Sequence, residues 1–180
     1  ENRQKTGSFK IRGASNKLAA MADRGELTPV VASSAGNHAQ GVAYAASQAG
    51  VKATIVMPTT TPLVKVNNTK DYGGNVILHG EVFDDAAELA AKMAEEESLT
   101  YVHPFNDPVL ATGQGTIAYE IFQDLPDVDT ILVPVGGGGL ISLPAYTLVG
   151  LDYNIASGCN KFSAMFGTLV ATVRYSKSGK

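Results

Sequence analysis

The sequence predicts an α/β protein built on a parallel sheet covered by helices. Three observations carry that expectation: the hydrophobic period switches repeatedly between helical and extended, the extended runs are short and nearly continuously apolar, and the elements alternate in βαβ order.

A helix is expected from about Ser8 to Arg24, ending at Gly25, followed by a strand in "TPVVASS". "GNHAQGVAYAASQAG" reads as the second helix and stops at Gly50, and "VKATIVMP" as a buried strand. Pro62 suits the start of the helix "PLVKVNNTKDYG", after which "NVILHG" is extended. "DDAAELAAKMAEEES" opens with two aspartates at a positive helix end and has Ala and Leu at helical spacing, so it reads as an amphipathic helix. "TYVHP" returns as a strand, "PVLATGQGTIAYEIFQDLP" is helical in its later part, and "DTILVPV" is a further strand that empties into four glycines. From Leu143 the alternation ends. That tail, 143–180, holds one acidic residue, Asp152, and is expected to be an altered reading frame or a junction rather than a continuation of the domain.

With 180 residues, 44% of them hydrophobic and 17% charged, the chain is long enough to bury a core. A net charge of −3 without a basic stripe argues against nucleic acid and anionic membranes as partners. The lone Cys159 gives no disulfide framework and suits a reducing compartment, so the chain is expected to be cytoplasmic. No apolar run reaches the length of a membrane span. The missing initiator Met predicts a chain that begins inside a longer protein.

Three stretches carry chemistry. In "VPVGGGGLIS", a core strand runs into Gly136, Gly137, Gly138 and Gly139, whose successive N–H groups can turn inward as a phosphate cradle; the plainer reading is a flexible turn. No Gly-Lys-Ser/Thr follows, which argues against ATP. "GQGTIA" at Gly113–Ala118 imitates a dinucleotide fingerprint. It follows no strand and lacks a ribose-binding acid about 20 residues on, so NAD is not expected and the glycines are assigned to close helix packing.

"ASSAGNHAQG" sets Ser33, Ser34, Ala35, Gly36, Asn37 and His38 at a strand-to-helix turn, where free N–H groups suit a carboxylate. Equally, Ser and Asn are ordinary caps and His38 can be a satisfied histidine without chemical consequence. The third stretch, "TGSFKIRGA", places Lys10 beside Phe9 at a helix start, where the dipole and a desolvating ring would both lower the amine's pKa. Alone, such a lysine is far more often a solvated charge. Together, cradle, carboxylate turn and lysine describe a pyridoxal-phosphate enzyme acting on an amino acid.

The chain resembles the threonine and serine dehydratase family of fold-type II pyridoxal-phosphate enzymes, of tryptophan synthase β-like architecture. The matching residues are "ENRQKTGSFKIRGA", "SSAGNHAQG", "HPFNDPVLATGQGTIAYEI" and "VPVGGGGLIS", within Glu1–Ser142. The resemblance implies pyridoxal 5'-phosphate as cofactor, Lys10 as the Schiff-base lysine and general base, Phe9 beside the cofactor ring, Asn37 on its phenolic oxygen, and Gly136, Gly137, Gly138, Gly139 and Leu140 on its phosphate. It implies that Ser34, Ala35, Gly36, Asn37 and His38 line the substrate carboxylate site. The implied reaction converts L-threonine or L-serine to a 2-oxo acid and ammonia, in amino-acid metabolism such as isoleucine biosynthesis, in a homo-oligomer. Racemase-type members carry serine where Ala35 stands, which favours dehydration here. Leu143 and Pro144 break the family pattern and no pyridine-nitrogen partner is visible, so residues 1–142 are expected to form a core incomplete at both ends, and the chain alone to be inactive. Its histidines, His38, His79 and His103, show no metal-ligand spacing.

Overall fold

A computed structural model describes residues 1–131. Four strands, β1 (Val30–Ser33), β2 (Ala53–Met57), β3 (Gly74–Leu78) and β4 (Thr100–Tyr101), form one sheet in the order β3-β2-β1-β4. Every pairing is parallel, with Val30 opposite both Ala53 and Thr100, and Ala53 opposite Gly74. The expected strand in "DTILVPV" lies, apart from its first residues, outside the described residues.

Helices α1 (Lys10–Asp23), α2 (Asn37–Ala49), α3 (Leu63–Asp71), α4 (Phe83–Glu96) and α5 (Pro108–Asp124) connect and cover these strands. The strands are apolar on both faces because both faces are packed. Val30, Ala32, Ile55 and Met57 join Leu18 of α1, Val42 of α2, Val66 of α3 and Leu110 of α5 in one cluster. Val31 and Val56, on the opposite face, pack with Ala86 and Ala90 of α4. Each fully buried aliphatic chain of this kind contributes roughly 1.5–3 kcal/mol.

Two expectations are corrected. The "TYVHP" strand is only two residues long, because His103 Nδ1 accepts from the N–H groups of Phe105 (3.3 Å) and Asn106 (2.8 Å) and turns the chain out of the sheet. "PVLATGQGTIAYEIFQDLP" is helical from its first residue and not only in its later part. Asp107 Oδ1 accepts from Val109 N (2.9 Å) and Leu110 N (3.1 Å), and Pro108 supplies a preset φ at the first helical position.

By their internal contacts, residues 1–113 make one compact unit and those from Gln114 on a second. In the described part of the second, Tyr119, Phe122 and Leu125 are exposed and Gln123 Nε2 donates to the Tyr119 hydroxyl at 2.9 Å. The expected boundary between residues 142 and 143 lies outside the described residues.

Candidate active site

In a parallel sheet every strand ends on the same edge, and that edge is where α/β proteins bind ligands. Here β1 runs out at Ser33 into the turn that starts α2, and β4 runs out at Tyr101 into a strap, residues 102–107, that leads into α5. Lys10 is the first residue of α1 and its Nζ donates to the carbonyl of Pro104, in the middle of that strap, at 2.9 Å. The lysine is thereby brought to the C-terminal edge.

Close packing of α1 on α2 fixes this placement. A Cβ built on Gly41 of α2 would stand 3.1 Å from both the carbonyl carbon and oxygen of Lys10 and 3.2 Å from Ile11 N, so only glycine lets α2 lie against the first turn of α1 without displacement. On the other side, a Cβ on Gly113 would come within 2.7 Å of Arg12 O and Gly13 Cα, and Asn16 Nδ2 donates to Val109 O at 2.7 Å. The close-packing assignment of "GQGTIA" therefore holds at Gly113.

Burial lowers the Lys10 pKa, since taking the amine out of water disfavours its charged form. The Phe9 ring lies with its centroid 5.3 Å from Nζ. Ser8 Oγ accepts from Lys10 N at 3.3 Å and steadies the helix start.

Around α2, Ser34, Ala35 and Gly36 are partly buried, Asn37 is exposed and His38 is buried. Ser34 Oγ accepts from Gly36 N at 3.2 Å. The N-cap of α2 is Gly36, which provides no side-chain cap, so no capping oxygen takes the first-turn amides. Two buried polar atoms beside this turn, Ser33 Oγ and His38 Nδ1, have no partner among the described residues. His38 Nε2 donates to Val102 O at 2.9 Å, so its ring is committed to the strap. Burial, together with the nearby charges of Lys10 and His103, lowers its pKa to about 4 against the Val102 bond and Asp107, which raise it.

Lys10, Phe9, Ser34, Ala35, Gly36, Asn37 and His38 thus belong to elements that meet at one sheet edge, whereas Gly136, Gly137, Gly138, Gly139 and Leu140 lie outside the described residues. Sequence reading does not find the carbonyls of Val102 and Pro104, which carry no residue-type signal. Nor does it find the Lys17–Asp107 ion pair (2.8 Å) that anchors the end of the strap. Among the described residues no group of three or more His, Cys, Asp or Glu side chains could hold a metal ion, and no helix is long and apolar enough to cross a membrane.

A family model described as "Pyridoxal-phosphate dependent enzyme" matches residues 1–142. The chain belongs to this family. It is 58% identical over 142 residues to a protein named L-threonine ammonia-lyase from Thermotoga maritima, an alignment covering 79% of this chain and 35% of that relative. The chain thus spans about a third of that relative's length. A solved structure of processed threonine deaminase isoform 2 from Solanum lycopersicum superposes with a TM-score of 0.75 and 42% identity, covering 83% of this chain and 42% of that one. Maize serine racemase superposes with the same TM-score of 0.75 and 41% identity, covering 83% of this chain and 46% of that one. For a pyridoxal-phosphate family member, the residues present fit the cofactor: a partly buried amine beside an aromatic ring, at a sheet edge with an uncapped helix start and unpartnered polar atoms.

Proposed function

We propose that this chain is the lysine-bearing part of a pyridoxal-phosphate lyase that converts L-threonine, or alternatively L-serine, to a 2-oxo acid and ammonia. The observation that carries this reading is Lys10, held by Pro104 at the C-terminal sheet edge, in a chain 58% identical to an L-threonine ammonia-lyase.

The cofactor, when bound, supplies the electron sink that acidifies the α-proton of an amino acid. Lys10 would hold it covalently, with Phe9 against its ring, Asn37 on its phenolic oxygen, and Gly136, Gly137, Gly138, Gly139 and Leu140 on its phosphate. The turn Ser34, Ala35 and Gly36, together with the main chain of Asn37 and His38 in the first turn of α2, binds the substrate carboxylate at the positive end of that helix. Once free, the Lys10 amine takes the proton from the substrate α-carbon, and the resulting ammonium has the Pro104 carbonyl as its acceptor. Its lowered pKa keeps more of the amine in the unprotonated form that this step requires. Ala35 offers no proton donor on the opposite face, which favours elimination over racemisation. The same reading places the protein in the cytoplasm and in amino-acid metabolism, isoleucine biosynthesis included, acting as a homo-oligomer on a small amino acid.

The coverage of 35% of a relative favours a second reading, in which the 180-residue chain binds the cofactor without turnover. One experiment tests both. The chain is incubated with pyridoxal phosphate, reduced with borohydride and mapped by mass, and 2-oxo acid release from threonine and serine is measured beside it. An adduct on Lys10 with 2-oxo acid release establishes the lyase; an adduct without release establishes the second reading. No adduct on Lys10 overturns both.

A further inference from the structure

We infer that the His38 side chain positions Lys10, acting through the strap, whatever its main chain does for the substrate. The inference rests on the reading of Lys10 as the reactive lysine.

The strap is pinned at both ends. Upstream, Val102 N donates to Val31 O at 2.8 Å, and the Val102 carbonyl is taken by His38 at 2.9 Å. Downstream, Asp107 pairs with Lys17 at 2.8 Å and caps α5. Between these pins Pro104 has no N–H with which to anchor itself, and its carbonyl receives Lys10 at 2.9 Å. The Pro104–Phe105 peptide that carries this carbonyl is held by His103, whose Nδ1 accepts from Phe105 N at 3.3 Å, and the Val102–His103 peptide that places His103 is in turn fixed by His38.

A carbonyl can only accept, so Nε2 of His38 carries the proton and Nδ1 keeps its lone pair. A charged His38 would bury a second N–H without a partner among the described residues, facing Lys10 and His103, with only the Asp107 carboxylate, already paired to Lys17, to offset it. The ring thus serves as a neutral donor of fixed reach across the working pH range. Its helix supports the same use: His38 and Gly41, three residues apart, share the face of α2 that meets the start of α1. One face of α2 thereby fixes the Lys10 backbone through Gly41 and the acceptor of its amine through His38. The tie spans 64 positions of sequence, and the bond it supports spans 94.

The test uses the cofactor-free chain with 13C-labelled lysine, following the Cε shift of Lys10 with pH and assigning it by its loss in Lys10→Arg. The Pro104 carbonyl favours the ammonium, whereas burial opposes it. His38→Phe keeps the space filled and removes the tie, so the apparent pKa of Lys10 is expected to fall by about half a unit, roughly threefold in its ionisation constant, while Lys52 and Lys92 do not move. His38→Gln, whose Nε2 reaches as far as that of histidine, restores the parent value; His38→Asn, one atom shorter, does not. Should His38→Phe fail to fold, His38→Asn carries the same comparison. An unchanged Lys10 pKa in the folded Phe or Asn variant overturns the inference. The cofactor adduct does not enter this measurement, so the two readings fail separately.

Discussion

Gly41 lies directly against the Lys10 peptide, leaving no room for a Cβ without moving the lysine's own backbone. Gly41→Ala should gain roughly 1 kcal/mol of helix propensity in α2 and lose a comparable amount to the displaced contact, so its stability stays near that of the parent. The displacement falls on Lys10 all the same. A shift of a few tenths of an ångström at a reacting group is expected to slow adduct formation with pyridoxal phosphate by about fivefold. Trapping rates measured beside a denaturant titration check this; equal trapping in a folded variant would show that the first turn of α1 tolerates the shift.

Gly113 sits in a tighter place, with backbone of Arg12 and Gly13 where its Cβ would be. Backbone cannot rotate away as a side-chain tip can. Gly113→Ala is expected to cost about 1–3 kcal/mol, the usual range for overpacking, and to weaken the neighbouring Asn16–Val109 bond. Chemical denaturation reads this directly, and a loss below about 0.5 kcal/mol would contradict the contact.

The strands "VVAS" and "ATIVM" are legible in the sequence as apolar runs because both sheet faces are covered, and α4 is legible through Asp84 and Asp85 in its first turn. The start of α5 is harder to read, although "DP" is a cap followed by a first-turn proline, because the glycines of "GQG" set the strongest local pattern further along. The Lys10–Pro104 and His38–Val102 bonds leave no trace in residue types. Their acceptors are main-chain oxygens, and only the sheet order brings β4 beside β1 so that both can form.

The turn before α4 makes a separate prediction. Asp85 Oδ2 accepts from Glu81 N at 2.8 Å and Val82 N at 3.2 Å, and these two bonds hold its carboxyl below the usual carboxylate range. A lowered folded value means that the stabilisation is complete above the unfolded value of 3.8 and is lost as pH falls below it through the folded one. Asp85→Ala should therefore lower the melting temperature at pH 7 and leave it little changed near pH 2. Equal losses at both pH values would assign the effect to something other than the charged cap.

His38 makes the opposite kind of contribution to pH dependence. Its folded pKa of about 4 lies below the ordinary histidine value of 6.5, so between these values the unfolded chain binds a proton that the folded chain refuses. Stability therefore falls as pH drops from about 6.5 toward 4, with a slope approaching 1.4 kcal/mol per pH unit where the difference is one full proton. Over the window from about pH 6.5 to 5 this amounts to roughly 1–2 kcal/mol. The chain has two further histidines, His79 and His103, so the parent alone does not isolate the effect. The difference between the parent and His38→Gln does: glutamine keeps a donor for Val102 and has no proton to gain. Denaturant titrations at about pH 7.5 and 5.0 should show the parent losing about 1–2 kcal/mol more than the variant between the two conditions. Parallel losses would mean that His38 is charged in the folded chain, and the neutral tie to Val102 would have to be abandoned.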